Sequence, residues 1–346
     1  MQYSVSFPGG AVRYLHNTHF AGIDEVLTPA NTIIMTDNNV AQLHTDLFKP
    51  FKAVITIPAG EEHKNHTTIL SIIQQLMEHK AHRKTFLLGV GGGMVTDITG
   101  FVAAIYMRGL RFGFVPTTLL GMVDAAIGGK NGINIGLQKN MVGTIQQPEF
   151  ILFDNELLST LSDEEWSNGF AEVIKSACLF DAALFNELTE NNIAYYQQNM
   201  AALSAMVAKS VDWKNKIVLA DERENGMRKL LNFGHTSGHA FETVCKIPHG
   251  QAVALGMLVA CKISEQFGLE ATVTEQLHTL LQQYNLPVSI QADTNTLMDV
   301  LMMDKKRDNY GVDFIVLKSI GSAEIKNIEF DTVKKAIEEF THAGDH

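Results

Sequence analysis

Cysteine is scarce in this 346-residue chain: Cys178, Cys245 and Cys261 are the only three, and no two are close in sequence. A disulfide framework and an all-cysteine zinc site are therefore excluded. Positive charge is also in short supply. Lys plus Arg number 27 against 38 Asp plus Glu, a net charge of −11. That argues against nucleic acid or an anionic membrane as a general partner, although a local cationic pocket for a small anion stays compatible with it. No run reaches the roughly 18 apolar residues that a membrane span needs. The start, Met1-Gln2-Tyr3-Ser4-Val5, has neither the basic region nor the apolar core of a secretory signal, so a cytoplasmic location is expected. Three motifs are missing too: the GxxxxGK[ST] phosphate loop, the complete GxGxxG fingerprint and HExxH. What the chain does have is 46% hydrophobic and 19% charged residues, enough for a substantial core. Its length predicts two domains or one large α/β unit.

Apolar runs at 32–36, 53–57, 85–90, 111–115 and 150–153 read as strands, and 67–80 carries a helical stripe. Strands alternating with helices predict a parallel sheet with right-handed crossovers. The expectation is a Rossmann-like α/β domain over residues 1–155. Beyond it the pattern turns helical, at 201–218, 251–267, 273–283 and 330–340, with one short strand at 314–317. Residues 156–346 are thus expected to form a mostly α-helical domain.

Gly89-x-Gly91-Gly92-Gly93 follows a strand and precedes a helix starting near Met94. Such a turn brings backbone N–H groups and a helix N-terminus up to an anion. Asp37, just past an early strand, is placed either to cap a helix or to accept hydrogen bonds from a ribose. Asp97, Arg108, Pro116-Thr117-Thr118, Asp124, Gly128-Gly129-Lys130 and Lys139-Asn140 form a dense polar block suited to wrapping a ligand. In the second half, Glu172 and Lys175 share a helix face at i, i+3. His235 and His239, at i, i+4, form a helical metal clip, and a third ligand from Glu172 or His249 would leave an open position for Lewis-acid catalysis. Two histidines and a carboxylate suit zinc or cobalt, with iron as a further option. The pairs His16/His19, His63/His66 and His79/His82 show no converging carboxylate motif and are set aside. If Lys130, Lys139, Lys175, Lys214, Arg228, Lys305 and Lys306 converge, they predict a multiply anionic substrate such as a phosphorylated sugar acid.

Taken in order along the chain, these segments resemble the 3-dehydroquinate synthase family. The resemblance is carried by Gly60-Glu61-Glu62-His63-Lys64, Gly91 to Asp97, Arg108-Gly109, Pro116 to Leu120, Asp124 to Lys130 and Lys139-Asn140. It continues through Ala171 to Lys175, Asp221 to Glu224, Arg228 to Glu242, His249-Gly250 and Asp304-Lys305-Lys306. It implies metal ligands at Glu172, His235 and His249, with His239 in the substrate pocket instead. It implies catalytic roles for Lys130, Asn140, Lys175 and His239. Substrate contacts fall at Arg108, Asp124, Lys139, Lys214, Arg228, Asn232 and one or both of Lys305 and Lys306. NAD contacts fall at Asp37, Glu61, Lys64, Gly92, Gly93, Asp97, Thr117 and Thr118.

The implied activity is a phosphorus–oxygen lyase acting on 3-deoxy-D-arabino-heptulosonate 7-phosphate. NAD transiently oxidises the C5 hydroxyl, phosphate is eliminated, the hydride returns, the ring opens and an intramolecular aldol step closes the carbocycle. A zinc or cobalt ion assists, and a homodimer is implied by Arg108 reaching a neighbouring site. Sister sugar-phosphate cyclases, such as amino-dehydroquinate synthases, and metal-dependent polyol dehydrogenases are the alternatives. Residues 131–138 depart from the usual family form, and Gln251 stands where a glutamate is usual.

Overall fold

A computed structural model describes residues 2–136, 138–305 and 311–342. It divides into two compact units: Met1–Ser162 with Met200–Arg223, and Asp163–Asn199 with Glu224–His346. The expected second domain, 156–346, is therefore not one compact stretch, because residues 200–223 return to the first unit. Side-chain bonds explain the return. The Tyr14 hydroxyl donates to Asn215 Oδ1 at 2.6 Å, and Asn155 Nδ2 donates to Ser204 Oγ at 2.7 Å.

The first unit is built on a seven-stranded sheet. Its strands are β1 (Gln2–Phe7), β2 (Gly10–His16), β3 (Thr32–Asp37), β4 (Ala53–Ile57), β5 (Phe86–Gly91) and β6 (Arg111–Pro116), then β9 (Phe150–Phe153). The order is β1-β2-β9-β6-β5-β3-β4; all neighbours are parallel except the β1–β2 hairpin. Strands β3, β5 and β9 are buried along their whole length. That is why they read as unbroken apolar runs, as parallel strands covered on both faces do. Between β6 and β9 the chain makes a separate antiparallel hairpin, β7 (Lys130–Ile135) with β8 (Gln138–Ile145). Strand β8 is mostly exposed and has no clean alternation, so it does not read as a strand in the sequence.

Among its described residues the second unit is helical apart from the hairpin β10 (Gly311–Ser319) with β11 (Ser322–Glu329). Its centre is the helix His249–Glu265, in which every residue from Ala252 to Cys261 is buried. Two neighbours come unusually close to it. A Cβ at Gly250 would lie 2.5 Å from Asn168 Cα, on the helix Asp163–Phe180. A Cβ at Gly256 would land on the carbonyl oxygen of Gly234, the residue that starts the helix His235–Cys245. Glycine at these two positions lets three helices approach to backbone contact. No helix among the described residues is long and apolar enough to cross a membrane.

Tyr3, Tyr14, Tyr196 and Tyr284 share one electrostatic property: burial raises each phenol above its ordinary value. Below about pH 10 both folded and unfolded chains keep these phenols protonated. Above it, only the unfolded chain ionises them, so stability falls as pH rises. In an alkaline absorbance titration, these four of the seven tyrosines are expected to ionise together with unfolding. Independent ionisation of all seven before the fold is lost would contradict this.

Candidate metal centre and its polar partners

In the second unit, the helix Asp163–Phe180 places Glu172 and Lys175 on one face, and both are only 1% exposed. His235 opens one neighbouring helix and His249 opens another. Gly250 and Gly256 allow these ends to converge on the glutamate. One ligand atom each from Glu172, His235 and His249 lies within 4.8 Å of the others. His235 Nε2 is 3.5 Å and His249 Nε2 3.4 Å from Glu172 Oε1. The other carboxylate oxygen forms an ion pair with Lys175 Nζ.

The outer ring nitrogens are held as well. His235 Nδ1 faces the Phe233 carbonyl at 3.2 Å, and His249 Nδ1 faces Glu242 Oε2 at 3.4 Å. Such partners fix the tautomer and aim the inner nitrogens at the glutamate. Glu242 was not singled out in the sequence. Its signal is its position seven residues after His235, two turns along the same helix face.

The charges are interdependent. Burial alone would raise the Glu172 carboxyl, but Lys175, His235 and His249 outweigh it and hold the group well below the ordinary carboxylate range. Burial, followed by the charge of Lys175, pushes the His235 imidazole well below its ordinary value, leaving it neutral. Burial would also lower His249, but the facing carboxylates of Glu172 and Glu242 bring it up to about 10. Both Glu172 oxygens are shut from solvent without a well-formed hydrogen bond. A buried carboxylate in that condition, facing two imidazole nitrogens, fits a divalent cation of zinc or cobalt type. His239 is adjacent but outside the group, its ring centroid 5.5 Å from His235 and 6.4 Å from His249.

Arg228 is buried nearby in sequence, and Asn232 Nδ2 donates to Glu224 Oε1 at 2.7 Å. Lys306 and the side chain of Lys305 lie outside the described residues.

In the first unit, β5 runs into Gly91, Gly92 caps the helix Gly93–Ile105, and the Thr117 N–H donates to the Gly91 carbonyl at 3.0 Å. Thr118 Oγ1 accepts from the Gly121 N–H at 3.0 Å. Asp37 takes the capping role: its Oδ1 accepts from the Asn39 and Val40 amides at 2.9 and 3.0 Å. Asn38 Oδ1 accepts from the Ala59 N–H at 2.8 Å, which sets this turn beside Gly60-Glu61.

Lys64 is buried, with Nζ 2.5 Å from Asp97, 2.7 Å from Asn140 Oδ1 and 3.7 Å from Glu61. Burial would lower this ammonium, but Asp97 and Glu61 raise it above its ordinary value. Lys214 Nζ donates to both the carbonyl and the carboxylate of Asp124 at 2.6 Å. Lys130 begins β7, Lys139 lies on β8, and Arg108 is exposed with a left-handed φ of 68°. His19, set aside in the sequence, does meet carboxylates: its Nδ1 is 3.7 Å from Asp154 and 3.4 Å from Glu156. That group is largely exposed, and Asp154 already accepts from the Phe20 and Glu156 amides.

Comparison with known proteins places these features. The whole-chain fold is shared with sugar-phosphate cyclases. A 2-epi-5-epi-valiolone synthase from Streptomyces hygroscopicus subsp. jinggangensis, solved with NAD+ and Zn2+ bound, superposes with a TM-score of 0.87 at 25% identity, covering 99% of this chain and 98% of that one. A more distant match is a probable glycerol dehydrogenase from Sinorhizobium meliloti, with a TM-score of 0.63 at 14% identity, covering 96% and 97%. Residues 54–168 match the family model for the 3-dehydroquinate synthase N-terminal region and residues 169–307 the one for its C-terminal region. The 3-dehydroquinate synthase of Campylobacter curvus is 39% identical, covering 95% of this chain and 97% of its own. That of Saccharolobus solfataricus is 40% identical, covering 86% and 89%. The chain belongs to the 3-dehydroquinate synthase family.

The buried ion pair is testable without substrate. Lys175→Met leaves the Glu172 charge without its ammonium and is expected to cost about 3 kcal/mol in urea unfolding of the metal-free protein. Adding Glu172→Gln to it should recover most of that loss. Additive losses in the double variant would show that the two groups are not coupled.

Proposed function

We propose that this chain converts 3-deoxy-D-arabino-heptulosonate 7-phosphate to 3-dehydroquinate and phosphate, using NAD and one divalent ion. The observation that carries the proposal is the convergence of Glu172, His235 and His249 in a chain of this family. Those three residues would hold the ion. When bound, the ion supplies a Lewis acid for substrate oxygens, and NAD supplies a temporary hydride acceptor.

The protein's own groups divide the remaining work. Lys175, fixed by its pairing with Glu172, keeps an ammonium in the buried centre, where it lowers the cost of negative charge developing on substrate oxygen. His239 stands one ring away from the ligand group, a place suited to holding or passing a proton beside it. Arg228 and Asn232 are suited to the substrate carboxylate, Arg through a planar fork and Asn through an amide held by Glu224. Lys130, Lys139 and Asn140, on one hairpin, are suited to the phosphate end, and Lys214, braced on Asp124, adds a further cation. One or both of Lys305 and Lys306 are assigned to the substrate by the family resemblance alone.

Glu61, Lys64, Gly92, Gly93, Asp97, Thr117 and Thr118 are assigned to NAD, around the β5 turn. Asp37 joins them through the turn that it caps. Part of the base work falls to the substrate's own phosphate, so no side chain need be a strong general base. Arg108, exposed on a left-handed turn, reaches a second copy in a homodimer, and the enzyme works in the cytoplasm.

Retention of Arg228, Asn232 and His239, together with curated relatives at 36–41% identity, favours this activity over a sister cyclase. The test follows phosphate and NADH together. With NAD and zinc or cobalt, phosphate release is expected at a steady rate with no net NADH, and a chelator should abolish it. NADH accumulation with glycerol and no phosphate release would instead identify a polyol dehydrogenase.

A further inference from the structure

We propose that Asn134 is a positioning residue that ties the cofactor side of the first unit to its phosphate side. The inference rests on the NAD and phosphate assignments above and adds a residue to which they give no role.

The geometry is a closed circuit. Asn134 Nδ2 donates to Glu61 Oε1 at 2.9 Å, while its Oδ1 accepts the Asn140 N–H at 2.9 Å. Asn140 Oδ1 in turn accepts from Lys64 Nζ at 2.7 Å, and Lys64 Nζ lies 3.7 Å from Glu61 Oε1. The Asn134 backbone N–H donates to the Lys64 carbonyl at 2.8 Å. One residue thus touches Glu61 and Lys64, assigned to NAD, and Asn140, assigned to the phosphate end.

The hairpin is deformed where this happens. Its register slips between Ile133 and Ile135, so Asn134 sits at an irregularity instead of in the ladder. It makes an isolated parallel bridge with Asn65. A bulge of this kind re-aims a side chain at the cost of local pairing. Asn140, at the other end of the contact, has a left-handed φ of 54°, a conformation uncommon for a residue other than glycine. The bond to Asn134 Oδ1 holds its amide in that state. An amide side chain suits the position because it offers a donor to the Glu61 carboxylate and an acceptor to the Asn140 N–H at once. Aspartate would keep the acceptor and set a second negative charge against Glu61; alanine would lose both.

The experiment uses the full-length chain loaded with zinc. It measures the NAD dissociation constant, the KM for the heptulosonate phosphate, kcat, Tm, and hydrogen exchange at the Asn140 amide. For Asn134→Ala, the NAD constant and the KM are each expected to rise about tenfold, the worth of one lost hydrogen bond. Values of kcat should stay within about threefold and Asn140 exchange should quicken. For Asn134→Asp, KM and Asn140 protection should return toward wild type while NAD binding stays weak. That split separates positioning from simple loss of structure, which would move both constants together with Tm.

The proposal is overturned if Asn134→Ala leaves both constants within twofold of wild type. It is equally overturned if the aspartate variant fails to separate them. If the wild type binds NAD but releases no phosphate, the functional assignment fails on its own, and the NAD constants with Asn140 exchange still decide the role of Asn134.

Discussion

A single buried carboxylate sets the terms for the second unit. Glu172 is sealed from water, and removing a charge from water costs several kcal/mol unless other charges answer it. Lys175 answers from the same helix and His249 from the start of a second, while the neutral imidazole of His235 faces Glu172 from the start of a third. Neither histidine could arrive if the helices stayed at ordinary spacing. Gly250 against Asn168, and Gly256 against Gly234, are the contacts that bring the backbones close enough. Fold and chemistry are therefore one problem here: the glycines that pack the helices also bring Glu172, His235 and His249 together.

This explains what could and could not be read from the residues alone. The strands of the parallel sheet were legible because burial on both faces leaves continuous apolar runs, as at 32–36 and 85–90. The i, i+3 spacing of Glu172 and Lys175 puts them on one face only given a helix, which Asp163–Phe180 supplies. The choice between His239 and His249 was not, because i, i+4 spacing is a property of one helix and the third partner belongs to another. Only the resemblance to a family favoured His249. The β7–β8 hairpin was not legible because β8 is mostly exposed and its apolar residues, Met141, Val142 and Ile145, do not alternate with polar ones. The return of residues 200–223 to the first unit rests on bonds such as Tyr14 to Asn215, between positions 201 apart, which no local pattern encodes.

The first unit shows the same economy with different means. Lys64 is buried against Asp97 and Asn140, so a group from the 61–64 turn, one from the helix after β5 and one from the hairpin meet at a single ammonium. Asp37 shows how one carboxylate serves the fold before any ligand is considered, since its Oδ1 is already used in capping. The stretch 131–138, which departs from the usual family form, still delivers Lys139 and Asn140 to β8 and leaves Asn134 at the irregularity where it can reach Glu61.

Metal titration of three chains tests the central claim most directly: wild type, His249→Ala and His239→Ala, each titrated with cobalt in competition with a chelator. One tightly held ion per chain is expected in the wild type and in His239→Ala. For His249→Ala the affinity should fall by at least about 100-fold, beyond the loss typical of a supporting partner. Equal affinity in the wild type and His249→Ala, or a loss confined to His239→Ala, would contradict the account.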